Sequence, residues 1–256
     1  MQNLLKAELK KLFHSLPLKI AMTAMLALSF VTALSSMSYK GSPLREELEI
    51  ALGGYEAFLA SLRDTPLLIL LGIIALGVVV CSDFDNRTIQ AEIYAGHGRS
   101  QIVISKFIAM SIGYTVLLLP YPVGRLVFQS AFYGFGPVVS ASTVFKLLPI
   151  FAVYVLIGLA LASIGILLAF TIRKTVVVIA SSIVLVLLGG NALLSFGGSI
   201  PPLGDLLAKT PLGLGKWLFA MDYAAADLWL AAAVCAATII LMCLLTSAAF
   251  GKAELK

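Results

Sequence analysis

The chain has 256 residues, of which 60% are hydrophobic and only 12% charged, against roughly 45–50% and about 25% in an ordinary soluble domain. A mean hydropathy of +1.02 leaves too little polar surface to cover a water-soluble globule, which excludes a soluble enzyme, a nucleic-acid binder and a disordered chain. The net charge of +5 then predicts loops that face anionic lipid.

Only helices or closed barrels satisfy their own backbone in lipid, and the apolar runs are continuous rather than alternating, so helices are expected. The predicted fold class is all-α, a polytopic membrane protein with one transmembrane domain over 1–256. Residues 1–17 open it with an amphipathic helix. Leu4, Leu5, Leu9, Leu12, Phe13 and Leu16 take one side of the wheel, and Lys6, Lys10, Lys11 and His14 the other. That pattern suits an interfacial helix. A cleaved signal peptide, ending near Ala33-Leu34-Ser35, is the competing reading, and the organised helix ahead of the apolar run counts against it.

A span needs roughly 20 residues to cross ~30 Å of hydrocarbon. Six are predicted: 18–39, 66–82, 107–128, 147–172, 175–194 and 227–250. The third is interrupted by Pro120 and Pro122, and Arg173-Lys174 nearly fills the hairpin between the fourth and fifth. With the N-terminus inside, 11 of the 18 Lys and Arg residues fall on the cytoplasmic side and 7 outside. The basic excess predicts both termini in the cytoplasm. The outer segment 195–226 mixes glycines and prolines with two short apolar patches, Leu206–Ala208 and Trp217–Met221, which suit interfacial or re-entrant helices.

Charge within the spans would mark an ion path, and no Asp or Glu lies mid-span. Arg125 and Lys146 fall near the outer ends, where snorkelling is expected. A proton-coupled carrier is disfavoured on that ground. His14 and His97 are the only histidines and both are assigned to the cytoplasmic side, so no intramembrane Ser-His dyad or His-Glu-x-x-His metal motif is expected. Gly213-Leu214-Gly215-Lys216-Trp217 lacks the spacing and hydroxyl of a phosphate-binding loop. Cys81, Cys235 and Cys243 lie in apolar runs and read as small hydrophobes. No catalytic, cofactor-binding or metal-ligating residue is predicted.

One loop stands apart. Residues 83–106, on the inner side, read DFDNRTIQAEIYAGHGRSQIVISK. Asp85 or Asn86 is placed to cap a short helix over 87–95, whose Ile89 and Ile93 share a face. Gly96-His97-Gly98 then breaks the chain, and an amphipathic segment from Arg99 feeds the third span.

At this loop the chain resembles the permeases of bacterial ATP-binding-cassette transporters of the type-2 exporter kind. Asp83, then Asn86-Arg87-Thr88-Ile89, Gly96-His97-Gly98-Arg99 and Lys106 stand where that family has an acidic residue, a turn, a Gly-x-Arg step and a basic or amide residue. Arg87 replaces the usual Gly, which implies a less sharp turn. The resemblance extends to the layout of an N-terminal amphipathic helix, six spans and a long last outer loop. It implies that 83–106 is a coupling helix seated on a separate cytoplasmic ATPase subunit, which binds the ATP. It also implies a second permease copy or paralogue in a 2+2 complex in the bacterial plasma membrane. Ile89, Ile93 and Tyr94 would enter the partner groove, and Arg87, Glu92 and Arg99 would orient it by charge. The cargo implied is amphipathic or hydrophobic, with membrane-active or antimicrobial peptides leading. An ATP-independent carrier or channel, and a non-transporting assembly or regulatory protein, stay open as alternatives.

Overall fold

The computed structural model describes residues 2–38, 53–63, 65–136, 141–184 and 225–252, with a few positions between 207 and 214. Every regular element among them is helical: α1 (Gln2–His14), α2 (Leu16–Met37), α3 (Gly54–Arg63), α4 (Thr65–Asp85), α5 (Thr88–Tyr94), α6 (Arg99–Leu118), α7 (Pro120–Tyr133), α8 (Ala141–Ile172), α9 (Thr175–Ile183) and α10 (Ala225–Gly251).

Among the described residues, four stretches are long and apolar enough to cross a membrane: Leu16–Met37, Arg99–Tyr133, Leu148–Ile172 and Asp227–Gly251. A fifth joins them if Ile69–Asp85 and Thr88–Tyr94, bent by 60° at their junction, form one broken span. This is the architecture of a membrane protein. Of the predicted fifth span, only α9 and Val184 fall among the described residues, and most of 195–226 lies outside them.

Local sequence explains the joints. Ser15 separates α1 from α2 in an extended conformation, and Pro17 opens α2 where a missing N–H leaves no bond unmade. The hydroxyls of Thr23, Ser29, Thr32 and Ser36 donate back to carbonyls three or four residues earlier, which satisfies them without water. The prolines at 120 and 122 make a joint rather than a gap. Leu119 keeps helical angles (φ −63°, ψ −44°), and the Val123 N–H reaches its carbonyl at 3.1 Å. Leu119 is thus helical despite the extended preference of a residue before proline.

Close helix approach depends on small residues, as expected where hydrophobicity alone cannot drive association. Tyr114 of α6 is fully buried, its ring between Gly72 of α4 and Gly158 of α8; a Cβ at Gly158 would lie 2.7 Å from the Tyr114 hydroxyl. Leu12 of α1 lies over Gly113 of α6 in the same way.

The two ends of the bundle differ. At one, Phe84, Phe170 and Phe250 bring the last turns of α4, α8 and α10 together, with centroids 5.4–6.3 Å apart. Arg173 and Arg99 cover the Phe84 and Phe250 rings. At the other, the Gly54 and Tyr55 N–H groups donate to the Gly134 and Phe135 carbonyls, and Gln129 Nε2 donates to Ser36 Oγ at 3.1 Å. Arg125 lies towards this second end and corrects an expectation. It is 9% exposed rather than snorkelling outward. Its Nη1 is 3.5 Å from the Tyr121 hydroxyl, and its Nε has no hydrogen-bond partner among the described residues.

Candidate functional site

The predicted loop folds into a capped helix set across the aromatic end of the bundle. α4 runs on to Asp85, so neither Asp85 nor Asn86 caps α5, contrary to expectation. The N-cap is Arg87, in the left-handed conformation with φ 54° and no side-chain cap bond. The turn is therefore as sharp as a glycine would make it, and an L-residue holds it despite the steric cost. The Arg87 N–H reaches the Phe84 carbonyl at 3.1 Å. At the far end, the Gly96 N–H bonds the Ile93 carbonyl at 2.9 Å and the His97 N–H bonds the Glu92 carbonyl at 3.2 Å. With Gly96 at φ 89°, this is a Schellman closure, which needs a residue tolerant of positive φ. Gly98 then opens α6, its N–H 3.4 Å from Gln101 Oε1.

The faces of α5 divide its residues differently from the sequence reading. Ile89 is 1% exposed and belongs to the bundle core, so it is not free to enter a partner. Ile93 is half-buried and packs on the same core, and Thr88 is half-buried. Tyr94 is 89% exposed. Arg87, Ala91 and Ala95 are exposed with it, as are Asp85, Asn86, Gly96 and Gly98. The outward face of α5 is thus Arg87, Ala91, Tyr94 and Ala95, and the paired isoleucines anchor the helix. Arg99 is also engaged within the chain. Its Nη1 donates to the Phe250 and Gly251 carbonyls at 3.2 and 2.9 Å, where a cation suits the end of α10.

Glu92 turns inward, the largest departure from expectation. Its Oε1 is 3.6 Å from Lys106 Nζ, and Lys106 is fully buried. Lys106 Nζ also lies 2.6 Å from Glu8 Oε1 and 2.6 Å from Asp83 Oδ2. Lys11 completes the group with Nζ 2.6 and 2.7 Å from the two Asp83 oxygens and 3.2 Å from Glu8 Oε2. Five ionisable groups from α1, α4, α5 and α6 therefore meet in one cluster, in which Lys106, Glu8 and Asp83 are buried and Lys11 is partly exposed. Burial pushes the Glu8 carboxyl up, yet Lys106 and Lys11 outweigh it and hold Glu8 below the usual carboxylate range. Burial dominates at Glu92 and, with Glu8 beside it, lifts that carboxyl to about 7 against the pull of Lys106.

The sequence reading placed Asp83 and Lys106 in the loop pattern but missed Glu8 and Lys11. A signal was present. Glu8 sits midway between Leu4 and Leu12 at helical spacing, on the face that α1 buries. A carboxylate on a buried stripe requires a cation opposite it.

Beneath the α4–α5 turn lies a cavity of about 210 Å³ whose lining includes Asp83, Asp85, Arg87, Gln90 and Arg173. Among the described residues no group of His, Cys, Asp and Glu is arranged to hold a metal ion. No protein-family model matches the chain, and no curated protein matches it.

Proposed function

We propose that this chain is the permease subunit of an ATP-driven exporter of the ATP-binding-cassette type, with six spans, both termini in the cytoplasm and no catalytic activity of its own. A separate cytoplasmic ATPase subunit binds and hydrolyses the ATP, and a second permease completes the pathway in the bacterial plasma membrane. The observation that carries this reading is α5. It is a short helix, closed at its C-terminal end by the Gly96 and His97 N–H groups, bent 60° from α4, anchored by Ile89 and Glu92 and presenting Tyr94 outward. An element that transmits force must be stiff and yet offer a surface to grip; α5 has both properties.

Within this reading the ATPase grips the Arg87–Ala91–Tyr94 face. Its ATP-bound and ATP-free forms hold that face in different positions, and the displacement passes to α4 and α6. The cargo is amphipathic or hydrophobic, a membrane-active peptide first among the candidates, in keeping with the charge-poor spans.

Co-purification is the test. The chain is co-expressed with a candidate cassette ATPase subunit, and the complex is reconstituted in lipid. The expected result is ATPase activity only in the complex, with Tyr94→Asp abolishing recovery of the ATPase. Cargo movement by the isolated chain would favour the ATP-independent carrier. A stable complex with no cargo-stimulated hydrolysis would favour the assembly role.

A further inference from the structure

The cluster around Lys106 contains three carboxyl groups, Glu8, Asp83 and Glu92, and two ammonium groups, Lys11 and Lys106. Fully ionised, it would bury one negative charge in excess, and an uncompensated buried charge is strongly disfavoured. The hydrogen-bond pattern shows where the compensation falls. The Oε1 atoms of Glu8 and Glu92 both face Lys106. Glu92 Oε2 is buried with no hydrogen-bond partner among the described residues, Glu8 Oε2 faces the Lys11 ammonium at 3.2 Å, and the two carboxyl groups are within hydrogen-bonding reach of each other. Two carboxylates cannot share a hydrogen bond without a proton between them. We propose that Glu8 and Glu92 share a single proton, and that this proton latches α5 to α1, so that the seating of α5 depends on pH.

The groups facing Glu92 come from each neighbouring element: Glu8 and Lys11 from α1, Asp83 from α4 and Lys106 from α6. Asp83 is held by both lysines. Loss of the proton sets two adjacent carboxylates against each other, and the one on the shorter, outer helix yields. Glu92 swings towards water and α5 loosens, while Glu8 stays with Lys106 and Lys11. Protonation of the pair therefore favours the rigid form of α5, and deprotonation the mobile form. The raised position of Glu92 puts the change near neutral pH.

The latch is a property of this chain alone and does not rest on the exporter reading, so it is tested without an ATPase. The full chain, with its three native cysteines replaced by alanine, is placed in lipid nanodiscs and followed from pH 5 to pH 9. Infrared difference spectra report protonated carboxyl, a band to which His14 and His97 do not contribute. A nitroxide on Tyr94→Cys reports the motion of α5. We expect loss of one protonated carboxyl and a rise in nitroxide mobility with a common midpoint within about one unit of pH 7. Glu92→Gln, whose amide donates the bond the proton made, should abolish both changes and keep the low-pH mobility throughout. A carboxyl midpoint in the ordinary range near 4.3 would overturn the proposal, as would titration without any change in mobility. So would an unchanged profile in Glu92→Gln. The unsubstituted carboxyl pair is itself measured, so a variant that fails to fold leaves the test decisive.

Discussion

Lys106 Nζ lies 2.6 Å from Asp83 Oδ2, a contact that joins the last turn of α4 to the second turn of α6 across the whole intervening loop. Both side chains are almost completely buried. The pair fixes the two helices that bracket α5, and Glu8 and Glu92 bind the same ammonium from two further directions. A buried ion pair is weak evidence of net stabilisation, because desolvation offsets much of the attraction. Its certain consequence is the cost of breaking it from one side.

Lys106→Met should accordingly destabilise the protein by roughly 3–5 kcal/mol, since it leaves Glu8, Asp83 and Glu92 facing one another with only Lys11 present. Adding Asp83→Asn and Glu8→Gln to Lys106→Met should recover most of that loss. Denaturant unfolding in detergent micelles measures both. A Lys106→Met protein as stable as the parent would show that the cluster is solvated.

The pH dependence follows from two opposite shifts. Glu92 is raised from 4.5 to about 7, so the folded state binds more protons than the unfolded chain between those values. That contribution is complete below pH 4.5 and is lost as the pH rises through 7. Glu8 is lowered, so its contribution is present above pH 4.5 and is lost as the pH falls through its folded value. Stability from this cluster should therefore peak in the mildly acidic range and decline by on the order of 1–3 kcal/mol towards pH 8. Thermal unfolding at stepped pH checks this, and Glu92→Gln should remove the decline on the alkaline side.

Tyr114 makes a packing prediction with two opposite signs. Gly158→Ala puts a Cβ 2.7 Å from the Tyr114 hydroxyl and should cost about 1–3 kcal/mol by overpacking. Tyr114→Phe removes a buried hydroxyl with no hydrogen-bond partner among the described residues, so it should be neutral or mildly stabilising. Unfolding midpoints of the two variants distinguish close contact from a loose interior.

The faces of α5 separate anchoring from docking. Ile89→Ala removes a core side chain that is 1% exposed and should cost about 2–4 kcal/mol of stability. Tyr94→Ala should leave stability within about 0.5 kcal/mol while weakening recovery of the proposed ATPase subunit. Equal loss of stability in both would mean that Tyr94 is also seated on the bundle.

Sequence by itself determined the membrane character, the helical class, the position of the apolar stretches and the presence of a short helix after α4 that ends before Gly96. Hydropathy and local capping decide those features: Arg99–Tyr133, Leu148–Ile172 and Asp227–Gly251 are apolar whatever they pack against, and Gly96 ends a helix through its own φ. Tertiary structure alone decided which way each side chain on those helices points. Ile89, Glu92 and Tyr94 occupy one short helix, and periodicity relates them to one another without choosing the face that is buried. Lys106 chose it, because a fully buried ammonium draws Glu92, Glu8 and Asp83 from three other helices. The same limit hid Arg125, whose burial beside Tyr121 depends on how closely neighbouring helices approach. Contacts between residues distant in the chain, such as Glu8 and Lys106, are set by how whole helices pack, and hydropathy along one strand of sequence carries no record of it.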